Sequence, residues 1–134
     1  MGTQTASAPY VIERVIAADY PTTVERVRQA LAREGFGVLS EIDLKAKFLE
    51  KLGADFKPYV ILGACHAPSA YQAVSAEESI GVFMPCNVIV HAAVGGTAVK
   101  AVRPSVTMGN VKNASLEPLA REIEEKLERV VTSA

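Results

Sequence analysis

Two cysteines, Cys65 and Cys86, and two histidines, His66 and His91, are the side chains of this sequence best suited to chemistry. Each cysteine stands among small residues bordered by proline: Gly63-Ala64-Cys65-His66-Ala67-Pro68 and Met84-Pro85-Cys86-Asn87. A lasting disulfide is disfavoured in a reducing compartment, so the pair has three uses open to it: packed inert thiols, a redox couple, or soft metal ligands. Cys65 has the stronger claim to reactivity. It falls between an apolar run, Tyr59 to Cys65, and a helix whose start Pro68 marks. There the positive helix end, and a protonated His66 turned inward, would favour the thiolate. Against this stands the ordinary behaviour of free cysteine, which is among the most buried residue types and packs as a small hydrophobe.

The remaining candidates are weaker. His91 reads as a solvent-facing residue of a strand, and Asn87 as a polar neighbour of a ligand or turn. Met108 follows in a loop where its thioether fills a gap or covers the cysteines. Glu77-Glu78 reads as a solvated turn, since adjacent carboxylates point apart and no apolar wall raises a pKa. Phosphate-cradling glycine loops and Gly-x-Ser-x-Gly elbows do not occur, and the two histidines fit no zinc-protease spacing. No catalytic residue and no cofactor are assigned.

The elements that must position the cysteines follow from periodicity. Tyr10 to Ala17 is short and β-branched, a first strand. Thr22 with Glu25 forms a capping box, Val24, Val27 and Leu31 recur at helical spacing, and Gly35 stops that helix. Phe36 to Ile42 alternates as a half-buried strand. Asp43 caps a second helix carrying Leu44, Phe48 and Leu52, ended by Gly53. The continuous apolar run Tyr59 to Cys65 suits a central strand covered on both faces, and a third helix runs from Pro68 to about Val74. Ile80 to Met84 reads as a short strand or extended approach.

Cys86 to Val94 and Thr97 to Arg103 form a hairpin about Gly95-Gly96. With Val94 opposite Thr97, one face carries Cys86, Val88, Val90, Val99 and Ala101. The other carries Asn87, Ile89, His91, Ala98 and Lys100. A final helix from Ser115 to Val130 buries Leu116, Leu119, Ile123, Leu127 and Val130, with Glu122-Lys126 and Glu125-Arg129 pairs outside. The order β-α-β-α-β-α, hairpin, helix predicts a single two-layer α+β domain over residues 10–134, after a flexible segment 1–9, with helices mainly on one face of the sheet. The uncovered face predicts a homodimer.

The chain of 134 residues is 49% hydrophobic and 22% charged, enough for one core without staples. Fourteen basic and fifteen acidic residues give a net charge of -1, with no block of either sign, so neither nucleic acid nor an anionic membrane surface is expected as a partner. Ser79 to Val99 lacks charged side chains, but Pro85, Asn87, His91 and Gly95-Gly96 interrupt it as a membrane span. The start, MGTQTASAP, has no signal-peptide pattern, and Ala6 occupies the Ser/Thr position of a myristoylation signal. A cytoplasmic location is expected.

Three blocks, Glu34 to Asp43 (EGFGVLSEID), Pro58 to Cys65 (PYVILGAC) and Met84 to Val90 (MPCNVIV), resemble the uncharacterised bacterial and archaeal family known as domain of unknown function number 302. The resemblance covers most of the chain and implies a small α+β domain that forms homodimers, with no settled activity. Where many relatives resemble Gly-Ala-Cys-Asn-Pro, this chain has Gly63-Ala64-Cys65-His66-Ala67-Pro68, which brings a metal-ligating side chain beside Cys65. The leading expectation is a cytoplasmic, non-enzymatic dimer binding a small ligand or soft metal ion near Cys65, His66, Cys86 and Asn87. A thiol-redox enzyme or sensor using Cys65 and Cys86, and a structural or interaction protein with inert buried thiols, are the alternatives.

Overall fold

The computed structural model describes residues 8–134, so most of the segment expected to be flexible, 1–9, lies outside the described residues. The chain runs β1 (Val11–Ile16), α1 (Tyr20–Arg33), β2 (Gly37–Asp43), α2 (Leu44–Leu52), β3 (Tyr59–Cys65) and α3 (Ala67–Ala76). It continues with β4 (Cys86–Ala93), β5 (Gly96–Val102), the short α4 (Pro104–Thr107) and α5 (Glu117–Ser133). The sheet order is β1-β5-β4-β3-β2, antiparallel at every pairing. This is the predicted α+β plan.

Helix α1 starts earlier than the Thr22 box predicts. Asp19 is its N-cap, accepting from the Thr22 backbone N–H at 2.8 Å, and Pro21 sits in the first turn. Aspartate caps as well as threonine does, and a first-turn proline is already in helical φ. Thr23 turns inward, fully buried, and donates to the Asp19 carbonyl at 2.8 Å. Val27, Ala30 and Leu31 of α1 and Ile123, Leu127, Val130 and Val131 of α5 pack over one face of the sheet. That face presents Ile12, Val60, Leu62, Ala64, Val88, Val90, Val99 and Ala101. Alternation along each strand makes this possible, because every second residue faces the helices.

The hairpin keeps its predicted faces but not its register. Ala93 opposes Gly96 and Val90 opposes Val99, so the turn pair is Val94-Gly95 rather than Gly95-Gly96. Gly95 takes the positive φ, at +89°, that the turn requires, and Val94 points into solvent. Moving the turn by one residue shifts each cross-strand partner by two, which preserves the inside and outside sets.

Four other expectations are corrected. β3 is an interior strand paired on both sides, as expected, but only its helix-facing side is fully covered: Val60, Leu62 and Ala64 are buried while Tyr59 and Ile61 are half-buried. The stretch Ile80 to Met84 is not a strand; Glu78–Phe83 is a 3₁₀ turn that closes on the Met84–Pro85 peptide, which is cis. With β4 already paired on both sides, an added strand there would have no ladder to join. Helix α5 begins after a separate 3₁₀ turn, Ala114–Leu116, capped by Asn113. The expected pairs along α5 give way to contacts between elements: Arg129 reaches Glu34 at the end of α1 at 3.1 Å, and Arg103 reaches Glu124 at 3.0 Å.

Arg14 lies on the helix-facing side of β1. Its guanidinium donates to the Val131 and Thr132 carbonyls at 3.1 and 2.6 Å, groups that the end of α5 leaves without helical partners. The far face of the sheet is different. Helix α2 covers it at one end only, through an aromatic chain from Phe48 to Phe56, Tyr59 and His91.

Candidate functional site

Cys65 is the last residue of β3 and Cys86 the first of β4, so both come to the same end of the sheet. The ladder sets Cys86 opposite Ala64, one residue from Cys65. Helix α3 begins one residue after Cys65, with His66 between them, and packs beside α5, and the turn before β4 brings Phe83, Met84 and Pro85 alongside. Both thiols thereby line one cleft of about 40 Å³ together with Phe36, Ala73, Met84, Met108 and Ile123. Both cysteines are free and partly buried.

Two close approaches shape this end of the sheet. Gly63 must be glycine because a Cβ there would strike Ser40 Oγ of β2 and come within 2.8 Å of the Pro85 ring. Pro85, pressed on Gly63, fixes where Cys86 enters β4. Gly35 has φ +84°, and a Cβ on it would stand 3.2 Å from the His66 ring.

His66 occupies the N-cap position of α3 without capping it. Its Nδ1 is 2.7 Å from Ser69 Oγ, and its ring meets Phe36 edge-to-face with centroids 5.8 Å apart. Ser69 is itself buried. The imidazole is thus part of the cleft wall, oriented by a serine and not by a thiol; among the described residues neither sulfur has a hydrogen-bond partner. Among these residues, too, no group of three or more His, Cys, Asp or Glu side chains converges as a metal site would require.

Burial pushes the Cys86 thiol up to about 11, and repulsion from the Cys65 thiolate adds to the effect. At neutral pH Cys86 is therefore a protonated thiol, a weak donor in an apolar wall rather than a nucleophile.

Cys65, His66 and Cys86 meet in this cleft, and Asn87 does not. Alternation sends Asn87 to the opposite face from Cys86, where it is exposed opposite Gly63. Met108, expected either to fill a gap or to cover the thiols, is in the cleft wall. Sequence reasoning missed Phe36, Ala73 and Ile123. Their spacing marks them as core residues of a strand approach and two helices, and nothing local distinguishes a core residue from one that lines an opening.

His91 also departs from expectation. It is only 7% exposed, stacked on Tyr59 with centroids 5.2 Å apart and planes 11° apart, and its Nδ1 donates to the Ala92 carbonyl at 2.8 Å. Burial holds its pKa below the ordinary histidine value despite the Ala92 bond, and Lys100 and Lys57 act in the same direction. The aromatic chain from α2 makes the covered site that the strand pattern alone leaves open.

The family model for domain of unknown function DUF302 matches residues 12–134, which includes every strand of the sheet but for the first residue of β1. The chain belongs to the DUF302 family. Among solved structures, the crystal structure of an uncharacterized conserved protein DUF302 from Bacillus stearothermophilus is similar in fold, with a TM-score of 0.87 and 29% identity. That alignment covers 94% of this chain and 98% of the other. No curated protein matches. In this DUF302 domain no helix among the described residues is long and apolar enough to cross a membrane.

Proposed function

We propose that this DUF302 domain is a dimeric binding protein whose site is the thiol-lined cleft between β3, β4, α3 and α5, and that its occupant there is a compact, uncharged, polarizable group. The observation that carries this reading is the lining itself. Cys65, Cys86, Met84 and Met108 all border one small opening whose wall contains no acidic or lysine/arginine residue. Such a wall offers dispersion contacts and little else, and soft, apolar matter is what it favours. A buried, protonated Cys86 weighs against thiol exchange, since the thiolate is the attacking species. A soft metal ion would find two thiols and an imidazole already committed to Ser69.

Xenon is the direct probe, being apolar, polarizable and small enough for the opening. Under xenon pressure the backbone amides of Ala64, Ala73 and Ile123 are expected to shift, and Cys86→Leu is expected to abolish those shifts. An unresponsive wild-type protein overturns the reading. Retention of stoichiometric Cu(I) against a competing chelator overturns the choice of occupant.

The dimer rests on the sheet's far face. Ile42, Ile61, Ile89, Lys100 and Glu13 succeed one another in register across all five strands there. Ile42 is 41% exposed, and Val15 nearby is 47% exposed. Three adjacent isoleucines, one exposed and two half-buried, favour a self-complementary partner. Light scattering is expected to give twice the chain mass, and Ile89→Lys to return a folded monomer; a monomeric wild type removes the dimer.

A further inference from the structure

A second and larger cavity, about 330 Å³, adjoins the thiol cleft. The two share Met108 and Ala120 in their walls. The character of the lining changes across that shared wall. On the far side the lining includes Lys112, Arg121 and Ser105, with Glu117 as its single carboxylate. Among the described residues neither cation makes a salt bridge, whereas Arg103, which reaches α5, and Arg129, which lies on it, are both paired. The floor is apolar, formed by Leu116 with Met108 and Ala120.

The chain commits effort to holding Lys112 in place. It is the one described residue other than glycine with a positive φ, at 58°. The turn around it is fixed on both sides: Val111 donates to the Met108 carbonyl at 3.0 Å, and Asn113 bonds Glu77 at 3.0 Å while capping Ser115. A non-glycine residue persists in that conformation only where its surroundings over-determine it. Here the result is a lysine and an arginine, from a loop and from the first turns of α5, bordering one hollow with an excess positive charge.

We propose that this cavity binds the carboxylate of a small amphipathic acid, whose apolar tail passes Met108 toward the thiol cleft. The two walls divide the ligand's work. Lys112 and Arg121 supply charge-assisted hydrogen bonds to the head, while Ser105 is held by the Glu124 carboxylate, to which its backbone N–H donates at 2.9 Å. Met108, with an unbranched and flexible side chain, is the residue best able to yield to a passing tail. A volume near 330 Å³ is at the lower end of small-molecule sites, which suits a short acid rather than a nucleotide. The tail's destination rests on the cleft reading above; the anion site does not.

Octanoate is the probe, titrated into the full chain while backbone amide shifts are followed, with 1-octanol and inorganic phosphate in parallel. Octanoate is expected to shift amides at both Lys112–Arg121 and Ala73–Ile123, and octanol to bind at least tenfold more weakly. Replacing both cations (K112Q with R121Q) is expected to weaken octanoate at least tenfold and to flatten the dependence of its affinity on salt. Both residues are exposed and make no ion pair among the described residues, and unchanged amide dispersion will confirm that the variant folds. Octanoate binding that is absent, equalled by octanol, or indifferent to the double substitution overturns the proposal. Phosphate that binds this cavity tighter than octanoate overturns it too, by replacing the carboxylic acid with a phosphate ligand. If xenon fails while octanoate shifts only the Lys112–Arg121 amides, the cleft reading and the tail's path are lost. If xenon enters and octanoate does not, the anion site is lost and the cleft stands.

Discussion

Cys86 gives the sharpest test of the site's electrostatics. Its thiol rises from an ordinary 9.0 to about 11, chiefly through burial. At pH 8 that reduces the thiolate fraction by about a hundredfold, and iodoacetamide alkylates only the thiolate. Labelling followed by peptide mass spectrometry, with the urea-unfolded chain as reference, should show Cys86 reacting about a hundredfold more slowly in the folded protein, before any steric hindrance. Burial without a shifted pKa would slow the reaction equally at every pH. The shifted thiol behaves differently, its rate climbing with pH up to about 11 where the unfolded reference levels near 9.

The same displacement appears in stability. The folded state holds the Cys86 proton more tightly than the unfolded chain does, so its advantage is complete below pH 9 and declines as pH rises toward 11. The full effect amounts to about 3 kcal/mol. Urea unfolding of the wild type and of Cys86→Ala across that range isolates this contribution, because lysines and tyrosines titrate alike in both. Cys65→Ala should lower the Cys86 pKa, since it removes the second cause of the rise. A Cys86 labelling profile that levels near pH 9 in the folded protein would refute both the pKa and the apolar character assigned to the cleft.

Two further outcomes follow from the geometry. His91 has a depressed pKa, so the folded protein binds fewer protons than the unfolded chain just below pH 6.5, and stability should fall as pH drops through that region; urea unfolding of His91→Gln should show a flatter acid limb. Gly63→Ala should cost about 1–3 kcal/mol by overpacking against Ser40 and Pro85, and amide shifts at Cys86 and Asn87 should report the displaced start of β4.

Much of this fold is legible in the sequence because it is set by neighbours along the chain. Gly35 stops α1 and Gly53 caps α2 in left-handed conformations, as their positions after helical periodicity require. The hairpin's two faces survive a misplaced turn because alternation fixes parity whichever residues make the bend. Local reasoning errs where two local signals compete or where a distant partner decides. Asp19 and Thr22 are both good caps, and only the packing of Thr23 against the core shows which one begins the helix. His91 looks solvated from its strand, yet a stacked Tyr59 covers it.

The candidate site divides along the same line. Cys65, His66 and Cys86 stand out by residue type, and the strand ends that carry them are visible in periodicity and proline placement. Asn87 looks equally eligible in sequence and is removed by a single fact of β geometry: neighbours in a strand face opposite ways. That Met108 joins the thiols, that Lys112 and Arg121 border one hollow, and that Phe36 and Ile123 line an opening are decisions of the tertiary structure alone. Residue identity and short-range spacing determine dihedral preference and which side of an element is apolar. Which of those sides meet, and where a gap is left between them, depends on contacts between segments dozens of residues apart, whose pairing the helices and the sheet settle together.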